Sequence, residues 1–135
     1  GLVELALSHN SLTRIPPSIS RLNNLNILDL SSNALTVLAP ALFSIGTLKS
    51  LDLSNNEIAE LPNDLRQLTN LRILRVHDNK LRSLPVGLLS LRALRELDIS
   101  NNNLQAIPHG LAEQLSLTHF KVEGNGDLPK AHNGL

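Results

Sequence analysis

The chain contains no cysteine, methionine, tryptophan or tyrosine, and two phenylalanines are its only aromatics among 135 residues. Without cysteine there can be no disulfide and no thiolate metal site, and a reducing compartment is the natural fit. None of the fifteen asparagines heads an Asn-x-Ser/Thr acceptor, which agrees with an intracellular, cytoplasmic location. An excess of either charge is also missing. Twelve basic residues balance twelve acidic ones, so there is no electrostatic case for a nucleic-acid or anionic-membrane partner. No apolar run approaches the ~20 residues that a membrane-spanning helix requires, so membrane insertion is not expected. Nothing at Gly1 resembles a signal peptide. Gly/Ser-rich and Pro-rich linkers are lacking, and residues 1–135 read as one domain.

What the chain does have is leucine and asparagine at fixed intervals. The stretches LVELALSHNSLTRIP, LNILDLSSNALTVLA, LKSLDLSNNEIAELP, LRILRVHDNKLRSLP and LRELDISNNNLQAIP start at Leu2, Leu25, Leu48, Leu71 and Leu94, 23 residues apart. A sixth copy from Leu117 begins in step and then breaks. Asp127 stands where a leucine belongs and Leu128-Pro129 comes two residues early, so 117–135 reads as a degenerate terminal repeat, loosened by Gly124, Gly126 and Gly134. The first repeat starts without a polar cap, which suits a fragment of a longer chain.

Each unit implies one coil. Around Leu51 the alternation Ser50, Leu51, Asp52, Leu53 has period two, the mark of a short strand with both leucines on one face. One such strand is unstable alone, but stacked on its neighbours it adds a rung to a parallel sheet. Later in the unit Leu65 and Leu68 lie three apart, which suits a short helical turn on the opposite wall. Pro16, Pro62, Pro85 and Pro108 fall where the chain bends towards that wall. The second repeat has Ala39 there with Pro40 one place late, so an altered turn is expected. The fifth has Gln114 at an apolar place with Leu115 just beyond.

Asn10, Asn33, Asn56, Asn79, Asn102 and Asn125 share one position, where the chain leaves the strand and buries peptide groups that have no sheet partner. A side-chain amide supplies two donors and an acceptor, so a column of asparagines can bond those groups and join adjacent coils. The expected role of this ladder is structural.

The pattern LxxLxLxxNxLxxLPxxLxxLxx closely resembles leucine-rich repeat proteins, in particular the 23-residue intracellular class of Ras-signalling scaffolds and their plant relatives. The resemblance covers almost the whole chain. It implies an α/β fold, a right-handed solenoid with a concave parallel sheet and short helical or 3-10 segments on the convex side. It also implies that partners dock on the concave face.

On that face the solvent-facing positions form columns. One reads Ala6, Asp29, Asp52, Arg75, Asp98, Lys121, its neighbour Glu4, Ile27, Ser50, Ile73, Glu96, His119, and a third Val3, Asn26, Lys49, Arg72, Arg95, Thr118. Arg75 between Asp52 and Asp98 is either an intramolecular charge ladder, worth about 0 to 1 kcal/mol per exposed pair, or a recognition stripe. A flanking column runs His9, Ser32, Asn55, Asp78, Asn101. The candidate partner-binding residues are Arg72, Ile73 and Arg75, with Asp29, Asp52, Arg95, Glu96 and Asp98 around them. Phe43 and Leu89 share a position on the outer segment. They either protrude as a convex contact or pack against the adjacent coil. Phe120 replaces a core leucine and is expected to plug the terminal coil.

No catalytic constellation is visible. His9, His77, His109, His119 and His132 occupy different positions without metal-ligand spacing, and His77 and Asp78, as neighbours in an extended segment, should point apart. No metal, no cofactor and no enzymatic activity are expected. The function expected is a scaffold, in signalling, that binds a protein partner. The alternatives are a non-catalytic recognition module of a multidomain signalling or RNA-processing enzyme, and an architectural subunit of a large assembly.

Overall fold

The computed structural model describes residues 1–126 and Leu128. Asp127, Pro129, His132 and Gly134 lie outside the described residues, as do the other positions after Leu128. Six three-residue strands form one parallel sheet in chain order: β1 (Glu4–Ala6), β2 (Ile27–Asp29), β3 (Ser50–Asp52), β4 (Ile73–Arg75), β5 (Glu96–Asp98) and β6 (His119–Lys121). Each strand pairs with the next at an offset of 23 residues, so that Leu5, Leu28, Leu51, Leu74, Leu97 and Phe120 stand in one row.

The opposite wall is built from 3-10 turns at Pro17–Arg21, Pro40–Ser44, Asn63–Gln67 and Val86–Ser90. A 3-10 turn repeats every three residues, and the i, i+3 pairs Leu42/Ile45, Leu65/Leu68 and Leu88/Leu91 all face inward and are buried. A strand needs only ~4.8 Å of the stack, less than a helical turn with its side chains, so the sheet lies on the inner curve. Between the walls the leucine columns are sealed. Leu25, Leu48, Leu71 and Leu94 have no exposure, and each fully buried leucine contributes about 1.5 to 3 kcal/mol.

Two departures from the repeat turn out differently from expectation. Ala39 adopts φ −67°, ψ 141°, beside −68°, 149° for Pro16 and −72°, 153° for Pro62. The turn of the second repeat is therefore unaltered, because alanine reaches unaided the conformation that proline enforces. In the fifth repeat an α-helix, α1 (Leu111–Leu115), replaces the 3-10 turn. Here the apolar pair is Leu111/Leu115, four apart, which matches 3.6 residues per turn. Gln114 is turned outward and donates from Nε2 to the His109 carbonyl at 2.8 Å.

The asparagines close the corner that the strands leave open. Asn56 Nδ2 donates to the carbonyls of Leu53, Ser54 and, on the preceding coil, Leu30, at 3.0 to 3.1 Å. Its Oδ1 accepts from the Leu35 amide of that coil at 3.0 Å. Asn79, Asn102 and Asn125 repeat the link to the coil before. Asn10 is exposed and reaches only Leu7 and Ser8 within its own unit.

Asn56→Ala leaves the buried Leu35 amide without a partner, at a cost of about 1 to 3 kcal/mol, and takes one of two donors from each of the Leu30, Leu53 and Ser54 carbonyls, so a loss of about 2 kcal/mol or more is expected in urea unfolding. Asn10→Ala should cost less than about 1 kcal/mol in the same assay, because water replaces its bonds. Equal losses would contradict this account of the ladder.

Candidate functional site

The open face of the sheet is set by strand alternation. With the middle residue buried in β2 to β5 and half-buried in β1 and β6, the two flanking side chains must face solvent. Registered pairing then aligns Ile27, Ser50, Ile73 and Glu96 in one column, and Asp29, Asp52, Arg75 and Asp98 in another. Lys49, Arg72 and Arg95 enter their strands one residue earlier and are all exposed. Ile27 keeps 39% of its surface exposed, whereas Ile73 is half-buried.

The charges do not pair as the sequence suggested. Arg75 bonds Glu96, with Nε 2.9 Å and Nη2 2.6 Å from Oε2, and forms no ion pair with Asp52 or Asp98. Glu96 is the diagonal neighbour of Arg75 on β5, and the diagonal is within reach of two long side chains. The aspartates are short and already engaged at the strand exit. Oδ1 of Asp29, Asp52 and Asp98 accepts from the amide of Ser31, Ser54 and Ser100 respectively, at 3.0 to 3.1 Å. The Ser31 and Ser100 hydroxyls donate to the same oxygens at 2.6 Å, whereas Ser54 Oγ is buried without a partner. The charge ladder reading is thus replaced by one diagonal ion pair and a row of strand-exit turns.

His77 and Asp78 also depart from expectation. Nδ1 of His77 lies 2.6 Å from Oδ2 of Asp78. They meet because Asp78 sits at φ 56°, so the backbone is not extended there. His9, Ser32, Asn55 and Asn101 share that left-handed conformation, and Gly124 continues it at φ 79°. Gly124 therefore takes the same place in the column, close to Asn101. Asparagine and aspartate tolerate positive φ, which was the available signal, but His9 and Ser32 obscured it.

On the outer wall Phe43 is completely buried and Leu89 half-buried against the core. The convex-contact reading of this pair is corrected. The ring has no polar atom to keep in water, and burying it among packed turns contributes about 1.5 to 3 kcal/mol. An exposed aliphatic of this wall is instead Val86, a single residue that the repeat did not single out. Phe120 is half-buried at the end of the leucine row. Among the described residues no cluster of His, Cys, Asp or Glu could hold a metal ion, and no helix is long and apolar enough to cross a membrane. A shallow depression of about 170 Å³ lies between Arg75, Glu96, Asp98, His119 and Lys121.

The leucine rich repeat family model matches residues 1–58, 24–81 and 69–126, and the chain belongs to that family. Three solved structures share the fold. A leucine-rich repeat protein of Leptospira interrogans has a TM-score of 0.86 and 32% identity over 96% of this chain and 33% of that one. The ectodomain of the receptor kinase SOBIR1 from Arabidopsis thaliana has a TM-score of 0.78 and 34% identity over 92% of this chain and 71% of that one. The functional domain of InlJ from Listeria monocytogenes, which includes a cysteine ladder, has a TM-score of 0.80 and 28% identity over 94% of this chain and 26% of that one. No curated protein matches the sequence. Leucine-rich repeat domains in general mediate protein–protein interaction and are typically non-catalytic binding modules.

Removing the hydroxyl of Ser54 deletes no hydrogen bond, so Ser54→Ala should leave stability within about 0.5 kcal/mol. Ser100→Ala loses the bond to Asp98 and should cost about 1 kcal/mol more in thermal or urea unfolding. A larger loss for Ser54→Ala than for Ser100→Ala would contradict this arrangement of the strand exits.

Proposed function

We propose that the protein is a non-catalytic scaffold whose concave sheet receives a partner protein, with Arg72, Ile73 and Arg75 at the centre of the contact. Asp29, Asp52, Arg95, Glu96 and Asp98 form its margin. The observation that carries this reading is the registered, solvent-facing columns on consecutive strands, because a rigid array of aligned side chains loses little entropy on docking. Arginine at the centre adds weight, since it is enriched where binding energy concentrates. The Arg75–Glu96 pair holds the guanidinium in place before a partner arrives.

A second reading is supported by the lengths of the similar proteins. The chain spans 33% of the Leptospira protein and 26% of the Listeria one, and the Arabidopsis domain belongs to a receptor kinase. The chain would then be the recognition module of a larger signalling or RNA-processing enzyme, with the same face used. Its residence in the cytoplasm belongs to the same proposal and rests on composition alone, since an ectodomain has this fold.

The test is capture of partners by the intact protein, with crosslinks mapped and affinities compared for Arg75→Glu and Ile73→Asp. Each variant should weaken binding at least ~10-fold, or about 1.4 kcal/mol, while the thermal midpoint stays within a few degrees. Unchanged affinity, or crosslinks confined to the 3-10 wall, would overturn the placement.

A further inference from the structure

The sheet carries a charge gradient across the strands as well as columns along them. Lys49, Arg72 and Arg95 occupy the entering position of three consecutive strands and are exposed. Three residues further along, Lys49 and Arg95 are followed by Asp52 and Asp98, and the same column holds Asp29 on β2. The one reversal in that column, Arg75, is paired with Glu96. Arg95 is fixed by bonds from Nη1 to the carbonyls of Arg92 and Leu94, just before its own strand, and of Leu115 at the end of α1. The aspartates are likewise fixed, each by the serine amide two residues on. A basic row and an aspartate row broken by Arg75 therefore run parallel, separated by three residues, or about 10 Å at ~3.3 Å per residue.

Spacing selects the form of partner that fits these rows. Lys49 to Arg95 spans two rungs, about 9.6 Å at ~4.8 Å each. On an α-helix the residues i, i+3 or i+4, and i+7 lie on one face and span about 10.5 Å, a mismatch of roughly 1 Å. An extended strand places same-face residues ~6.6 Å apart and over two steps overshoots by about 4 Å. The row separation of about 10 Å also matches the width of one helix with its side chains. A nucleic-acid strand is disfavoured, because the aspartate row lies within about one Debye length of the basic row and repels phosphate.

Resting on the docking reading above, we infer that the concave face takes an α-helix of the partner protein laid along the solenoid axis, with acidic residues at i, i+3/i+4 and i+7 over Lys49, Arg72 and Arg95 and basic residues on its opposite flank over the aspartates. Ile27 and Ile73, two rungs apart between the rows, meet the apolar line that such a helix carries between its charged flanks. Charge complementarity sets orientation and register here, and the apolar line adds the area.

The experiment uses the full chain and a helical peptide of about 18 residues bearing glutamates at i, i+4 and i+7, lysines on the opposite flank and leucines between. A control peptide has the same composition with the charges scrambled, and a single-stranded oligonucleotide serves as polyanion. The patterned peptide should bind at least ten times more tightly than the scrambled one, and Lys49→Glu with Arg72→Glu should abolish or invert that preference. The milder Lys49→Gln with Arg72→Gln should reduce it, with circular dichroism confirming the fold. Equal binding of both peptides, or tighter binding of the oligonucleotide, overturns the inference. If the captured partner crosslinks to the sheet but the patterned peptide does not bind, the inference fails and the docking reading stands. If partner crosslinks also miss the sheet, both fail.

Discussion

The structure depends on one exchange of hydrogen bonds, that between each buried asparagine amide and the peptide groups of the coil before it. Three-residue strands are far too short to hold a sheet by themselves, and the chain must bend sharply after each one. The bend buries carbonyls and amides where no strand can reach them. Asn56, Asn79, Asn102 and Asn125 meet those groups, two from their own coil and two from the preceding one in the case of Asn56 and Leu30/Leu35. Because at least half of each set reaches backward, the asparagines fix the phase between coils as well as the turn within one. The leucine columns then interlock in register, and the side chains on the open face line up as a result.

That dependence explains why so much of the fold was legible in the sequence. A repeat of 23 residues puts every copy in the same surroundings, so five copies of one pattern serve as five independent readings of each position. The strand rows, the buried columns and the coupling role open to asparagine all follow from that averaging. What the averaging hides is the single exception. Phe43 has Ser20 and Arg66 as its neighbours in position, both exposed, and nothing in the repeat says that its ring turns inward. The helical turn at Leu111–Leu115 was signalled by a leucine spacing of four, but only one copy carries it. The positive-φ column was written in Asn55, Asp78 and Asn101 and masked by His9 and Ser32.

The candidate site shows the same division. Which residues face solvent on the sheet follows from strand alternation and needed no coordinates. How they pair does not follow from the repeat, because pairing is decided by side-chain length and by competing local bonds. Arg75 lies level with Asp52 and Asp98, yet its partner is Glu96, the longer side chain on the diagonal. The aspartates, drawn into strand-exit turns by the serines that follow them, act first as structural acceptors. They stay half-exposed on the open face all the same, which is why a backbone device and a recognition surface can share the same residues.

The most direct test of the asparagine coupling is amide hydrogen exchange read residue by residue in the native chain. The amides of Leu35, Ile58, Leu81 and Leu104 donate to asparagine side chains rather than to the sheet. If those bonds hold the coils in phase, these amides should exchange only with the cooperative opening of the stack, as slowly to within about an order of magnitude as the sheet amides of Leu30, Leu53, Val76 and Ile99. Exchange at the rate of exposed loop amides, while the sheet amides remain protected, would contradict the account.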